Sequence, residues 1–167
     1  MPNWCFNCAE FKFPNNELYN KFIEAIKTKN LFSTFAELPC GKDENGEYNW
    51  DFQFAIECWG TKWEPEEIYY NEGVETLTIS ASFDTAWAPP LQFYEKLNKT
   101  YGICVVAQFY ESGVEMFGSW DCTGGAQYYD YPLNKEELDE MKKILPSDLN
   151  TFMESEWENL EELWINI

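Results

Sequence analysis

A stretch of strict two-residue alternation at residues 76–83 constrains the fold more than any other part of the chain. Apolar residues occupy every second position from Leu77 to Phe83, and Thr or Ser fills the positions between them. Such alternation predicts a β-strand with one buried and one polar face. Residues 68–70 have strand character, and 71–73 have turn chemistry, so the region predicts a β-hairpin.

Two strand-like segments, 4–13 and 76–83, are each followed by a helical pattern. The first pattern follows the N-cap candidates Asn15 and Asn16 and continues to Lys27, and the second follows two prolines and continues to Tyr101. Further strands are predicted over 103–110, 115–121 and 126–131. Two β-then-α units that share a mostly antiparallel sheet predict an α+β fold of the ferredoxin-like split βαβ type.

The expected organisation is one ferredoxin-like domain over residues 1–132, followed by an acidic helical tail at 133–167 that packs on the same domain. A packed insertion is expected at about 30–57, with a short helix over 32–38 and turns over 39–46. In the tail, Asn134 is a suitable N-cap for a first helix, and a second helix is predicted as one amphipathic stretch.

The charge balance is strongly acidic. The chain has 11 Lys, no Arg and no His against 30 Asp and Glu, for a net charge of −19. Such a field repels phosphates, so we expect no direct contact with nucleic acid. The charge serves either solubility alone or the attraction of a protein partner with a basic surface.

Six cysteines are present in a chain longer than most disulfide-dependent secreted domains. Cys5 and Cys8 have CxxC spacing, but a strand would point them to opposite faces, so they are not expected to hold a metal together. The first residues lack a secretory signal, and no window approaches the roughly 18 apolar residues of a membrane span. We therefore expect a cytoplasmic protein with reduced thiols, no metal and no cofactor.

Catalysis by a Ser-His or Cys-His relay is excluded because the chain has no imidazole. Paired carboxylates, for example Asp84 with Glu57 or Glu64, leave an acid–base enzyme open as an alternative. Abundant Glu makes such pairs common by chance, so no catalytic residue is assigned.

Two polar and aromatic turns, at 59–63 and 84–87, supply most of the candidate binding residues. Trp59, Trp63 and Trp87 could line a pocket for a flat ligand, or Trp59 and Trp87 could close the open end of the sheet. Residues 128–131 form either an exposed aromatic patch or a plain edge strand. The candidate binding residues are Trp4, Trp59, Gly60, Thr61, Lys62, Trp63, Asp84, Thr85, Trp87, Tyr128, Tyr129 and Tyr131.

Four motifs in this order resemble the YubB or Api92-like family, small phage and plasmid proteins with a ferredoxin-like domain. The motifs are Asn3-Trp4-Cys5-Phe6-Asn7, Trp59-Gly60-Thr61-Lys62-Trp63-Glu64, Phe83-Asp84-Thr85-Ala86-Trp87-Ala88-Pro89-Pro90, and Tyr110-Glu111-Ser112-Gly113 with Phe117-Gly118. The resemblance implies an accessory protein of a mobile element and supplies no catalytic residues.

Together with the charge, the resemblance predicts a non-catalytic protein that binds and inhibits a host factor. Such a factor could be a defence nuclease, with the acidic surface standing in for nucleic acid phosphates. A nucleotide-like ligand binder and a carboxylate enzyme are the alternatives. The last apolar helix could also pack on a second copy, which would make a homodimer.

Overall fold

The computed structural model describes residues 3–39, 44–45 and 51–165 and has an α+β fold. Its elements are β1 (Trp4–Lys12), α1 (Asn16–Lys27), α2 (Leu31–Phe35), α3 (Phe52–Trp59), β2 (Ile68–Gly73), β3 (Thr78–Ala86), α4 (Leu91–Tyr101), β4 (Cys104–Glu111), β5 (Met116–Asp121), β6 (Gly125–Asp130), α5 (Lys135–Ile144), α6 (Ser147–Phe152) and α7 (Glu154–Ile165).

The strands form one six-stranded sheet in the order β2-β3-β1-β4-β5-β6, and every neighbouring pair is antiparallel. The first four strands have the split βαβ arrangement, because β3 lies between β1 and β2, and β1 lies between β3 and β4. Strands β5 and β6 extend the sheet beyond β4 as consecutive hairpins. The predicted α+β, ferredoxin-like fold is confirmed.

One face of the sheet is covered by α1 to α4 and holds the larger hydrophobic cluster. The alternation of β1 places Phe11 on this face, where its ring lies 4.7 Å from Phe22 of α1 and 6.1 Å from Tyr94 of α4. Aromatic rings therefore fill much of the space between sheet and helices, as the aromatic content of 19% predicts.

The tail helices α5 to α7 form a second hydrophobic cluster with the end of the sheet. Trp157 of α7 is buried against Phe117 of β5 at 5.2 Å, and Phe152 of α6 stacks on Phe6 of β1 at 5.9 Å. The tail thus packs on the sheet of its own chain. A domain boundary at residue 132 stays a prediction.

The tail covers only part of the second sheet face. Cys8, Glu10, Ser80 and Val106 lie on that face and are exposed. We call this uncovered part, which also carries Ser82 and Asp84, the open face.

No helix in the described part of the chain has the length and apolarity needed to cross a bilayer.

Several boundaries differ from the sequence prediction. The turn predicted at residues 71–73 is wrong, because β2 continues to Gly73, which pairs with Thr78. The connection is instead 74–77, and Leu77 adopts a φ of 51° there. The apolar stretch before Trp59 forms α3, with Asp51 as its N-cap. The predicted second tail helix is divided at Met153 into α6 and α7.

Part of the predicted insertion, including Cys40 and most of the turn chemistry at 39–46, lies outside the described residues. The short helix predicted over 32–38 is observed as α2. Its buried Phe32 and Phe35 belong to the larger hydrophobic cluster, so the beginning of the insertion contributes to the core.

The expectation of reduced thiols is wrong for one pair of cysteines. Cys104 at the start of β4 and Cys122 just after β5 form a disulfide, with Cα atoms 5.6 Å apart. The antiparallel register of β4 and β5 brings these ends together. Stable disulfides are typical of oxidising compartments, so the pairing bears on the cytoplasmic location, which stays a prediction.

Replacing Cys104 and Cys122 together by Ser is expected to lower the free energy of unfolding by about 3 kcal/mol, because the bond closes a loop of intermediate length. Urea unfolding without reductant measures the loss. Reductant should destabilise the wild type by a similar amount and leave the double variant unchanged, and Cys8→Ser serves as the control. A wild type that does not respond to reductant would contradict the pairing.

Candidate functional site

The turn that follows α3 is a packing element. Trp59 is 3% exposed, and its Nε1 donates a hydrogen bond to the Ala36 carbonyl at 2.7 Å. Gly60 ends the helix with a φ of 89°, and a Cβ there would lie 3.0 Å from the Leu91 nitrogen. The Thr61 hydroxyl donates to the Ala86 carbonyl at 2.9 Å. Through these three residues the end of α3 packs against the end of α2, against β3 and against the start of α4.

Asn7 of β1 and Thr85 of β3 form a buried, hydrogen-bonded polar pair. Asn7 donates from Nδ2 to the Thr85 hydroxyl at 2.9 Å, and Thr85 donates to the Ala88 carbonyl at 2.8 Å. Burial raises the pKa of the neighbouring Cys5 thiol, which keeps it protonated. Cys8 is exposed on the opposite face, so the CxxC pair is divided as strand alternation predicts.

The second polar and aromatic turn lies at the surface. Trp87 adopts a φ of 73° and is 45% exposed. The Lys62 ammonium lies 5.4 Å from the centre of its ring and 5.7 Å from that of Phe52. Because Trp59 is buried while Trp87 is exposed beside Lys62, only Trp87 of these two rings presents surface to a ligand.

The three candidate tyrosines have different environments. Tyr131 is buried, and its hydroxyl donates to Glu156 at 3.1 Å. Tyr129 stacks on Phe117 at 5.3 Å between ring centres. Tyr128 is exposed and meets Phe109 edge-on. Tyr128 and Tyr129 belong to the edge strand β6 and Tyr131 follows it, so Tyr128 is the exposed member of the three.

The carboxylates proposed as catalytic pairs have separate structural surroundings. Glu64 accepts hydrogen bonds from the Phe32 and Ser33 amides at 2.7 and 2.6 Å and thereby caps α2. Burial raises the pKa of Glu64, although these bonds oppose the shift. Glu57 is exposed and accepts from Gln53 of its own helix. Glu64 is therefore occupied as a cap.

Replacing Glu64 by Ala is expected to cost about 2 kcal/mol of stability, because two amides at the start of α2 lose their acceptor. Thermal or urea unfolding measures the change. Glu66→Ala is the matched control, since Glu66 is an exposed neighbour, and it should change stability by less than about 0.5 kcal/mol. Equal effects of the two substitutions would contradict a capping role.

A groove on the open face brings together exposed rings and carboxylates. The register pairs Asp84 with Phe6 and Ser82 with Tyr69, so these side chains share one face. The groove has a volume of about 240 Å³. Its lining residues are Trp4, Phe6, Glu66, Glu67, Tyr69, Ser82, Phe83 and Asp84. We call it the acidic groove.

The electrostatics of the acidic groove favour a cation. It carries the carboxylates of Glu66, Glu67 and Asp84, and no lysine is among its lining residues. Partial loss of hydration raises the pKa of Asp84. Trp4 and Tyr69 are 43% and 68% exposed and present ring surface, to which an ammonium or guanidinium group is attracted.

Of the sequence candidates, the structure brings Trp4 and Asp84 into this groove, and Trp63 meets Trp4 edge-on at 6.4 Å. Sequence reasoning did not single out Glu66, Glu67 or Tyr69. The sequence feature that could have identified Tyr69 is the predicted hairpin, because alternate residues of a strand lie on opposite faces of the sheet. The pairing of its strand with β3 was needed to place it beside Asp84.

Comparisons with known proteins give little similarity. No protein-family model matches the chain, and no curated protein matches it. A crystal structure of the protein api92 from Yersinia pseudotuberculosis, of the family DUF1281, matches with 14% identity and a TM-score of 0.37. The match covers 50% of this chain and 31% of that chain. Similarity at this level supports no conclusion about function.

Proposed function

We propose that the protein is a non-catalytic binding protein that holds the basic surface of a protein partner against its acidic groove. The observation that carries this proposal is the cluster of Glu66, Glu67 and Asp84 around exposed rings, with no lysine among the lining residues. The partner side chains that suit such a groove are Lys and Arg, which combine a charge with an apolar stem.

The exposed rings support binding to a protein rather than a role in solubility alone. Solubility requires dispersed charge, whereas Trp4 and Tyr69 expose large aromatic surfaces beside the carboxylates. Aromatic residues with this mixture of apolar and polar surface are common at the energetic centres of protein interfaces. The groove thus offers both an electrostatic attraction and an anchor for partner side chains.

The partner class that we propose is a nucleic-acid-binding protein of the host, such as a defence nuclease. Proteins of this class have basic clefts that bind phosphates. A net charge of −19 on 167 residues would attract such a cleft and compete with nucleic acid for it. The resemblance of the four sequence motifs to proteins of phages and plasmids supports the same setting, because such elements encounter host defences.

Affinity capture from a lysate of the host cell tests this proposal. The wild type should retain proteins that are more basic than the lysate average and release them as salt rises. The variant Glu66→Lys/Glu67→Lys should lose them. Asp139→Lys/Glu158→Lys is the matched control, because it changes the net charge equally on α5 and α7.

A purified captured protein then allows a direct test of mimicry. Duplex DNA should displace it from the wild type, and the wild type should inhibit its binding to DNA. Capture that does not depend on salt, or an equal loss in both double variants, would contradict binding at the acidic groove. Failure of DNA to compete would contradict the nucleic-acid-binding class of partner.

A further inference from the structure

Strand β2 forms one edge of the sheet, because it pairs with β3 and with no other strand among the described residues. An edge strand directs alternate backbone amides and carbonyls away from the sheet, where another strand can bond to them. The register from Ile68 to Gly73 is continuous, without a bulge. The strand contains neither Pro nor Lys, the residues that most often protect such edges.

Two grooves lie on either side of the beginning of β2. The acidic groove is on the open face, and a second groove of about 310 Å³ is on the side of α1. Glu66, Glu67 and Tyr69 line both grooves. An added strand points successive side chains to opposite faces, so neighbouring residues of a bound peptide would enter one groove and then the other.

The charges in and around β2 determine which kind of segment can pair with this edge. Glu66 and Glu67 precede β2, Glu72 lies within it and Glu75 follows it, and no lysine is interspersed. Edge-to-edge pairing with a second copy would bring these carboxylates together, and like charges across a strand pair are destabilising. The complementary occupant is an extended segment with Lys or Arg. In the second groove, Ile26, Leu31 and Ile68 suit an apolar side chain on that face.

We propose that the outer edge of β2 takes an extended, lysine-containing segment of the partner protein as a seventh strand, with its lysines in the acidic groove. This inference rests on the proposed function and adds the mode of binding to it. Backbone hydrogen bonds would supply affinity that depends little on sequence, and the groove would supply the preference for cations.

Synthetic peptides test the pairing with the intact protein. The probe is a fluorescently labelled peptide of about eight residues with alternating Lys and Val, a length suited to one strand. Binding is measured by anisotropy, and hydrogen exchange reports on the amides of residues 68–73. The probe should bind and protect these amides, whereas a Glu and Val peptide should not bind.

A backbone-methylated peptide separates strand pairing from attraction of charge. It keeps every lysine but loses alternate N–H donors, and its affinity should fall by about tenfold or more. Glu66→Lys/Glu67→Lys should weaken the unmethylated probe to a similar extent, and Asp139→Lys/Glu158→Lys should change its affinity less than about twofold.

The outcomes that would overturn the proposal are distinct from failure of the proposed function. Equal affinity of the methylated and unmethylated peptides would overturn strand addition and leave binding of cations at the acidic groove. Self-association of the wild type with protected β2 amides would show that a second copy occupies the edge. If no basic peptide binds and no basic protein is captured from the host lysate, the proposed function itself fails.

Discussion

Trp157→Ala is expected to lower the free energy of unfolding by about 3 to 5 kcal/mol, the usual cost of truncating a large buried aromatic residue. Trp157 is 2% exposed, and its ring meets Phe117 at 5.2 Å and Tyr131 at 6.1 Å. Its Nε1 also donates to Asn150 at 3.0 Å. The substitution therefore leaves a cavity and an acceptor without its donor.

Urea unfolding of the wild type, followed by two probes, tests whether the tail and the sheet unfold together. Because Phe117 and Phe6 of the sheet pack against tail residues, we expect a single urea transition when far-ultraviolet circular dichroism and tryptophan fluorescence are compared. Leu163→Ala on the same helix is the control, since Leu163 is exposed, and it should cost less than about 0.5 kcal/mol. Two separate transitions in the wild type would contradict joint unfolding.

Phe11→Ala is expected to have an effect of similar size, about 3 to 5 kcal/mol, in the other hydrophobic cluster. Phe11 is fully buried in the central strand β1 and contacts the rings of Phe22 and Tyr94. Its removal opens a cavity between the sheet and two helices at once. A natural domain is stable by only about 5–15 kcal/mol, so the variant would lose a large fraction of its stability.

The control at this position is Phe11→Leu, which keeps most of the apolar volume. Its cost should remain below about 2 kcal/mol, and urea unfolding of the three proteins gives the order wild type, Leu, Ala. A loss of less than about 1 kcal/mol for Phe11→Ala would show that the site collapses around the smaller side chain or that Phe11 is not a core residue.

The sequence predicts a helix or strand correctly where its local residue pattern agrees with the burial of that element in the folded protein. Alternation at 76–83 predicts β3 because one face of that strand is buried against helices. Asn15 accepts a hydrogen bond from the Leu18 amide, so the predicted N-cap of α1 is observed. Helix α3 was not predicted, although Asp51 and Gly60 are typical of its two ends. The helix has only eight residues, which are too few for the spacing of its apolar residues to identify it as a helix.

The disulfide and the acidic groove depend on register, which local patterns do not determine. Cys104 and Cys122 are 18 positions apart, and only the pairing of β4 with β5 brings them together. Similarly, Asp84 and Tyr69 lie near each other because β2 pairs with β3. The aromatic turn could be assigned to packing or binding only once the burial of Trp59 was known.

The measurement that tests the central claim most directly is a titration of isotopically labelled protein with the lysine-containing peptide, followed through the tryptophan indole N–H signals. Trp4 lies in the acidic groove, whereas Trp157 of α7 is buried between the tail and the sheet. If the groove binds the cationic segment, the Trp4 signal shifts in proportion to saturation and the Trp157 signal stays in place. A Trp4 signal that does not move when the peptide is bound would contradict the account.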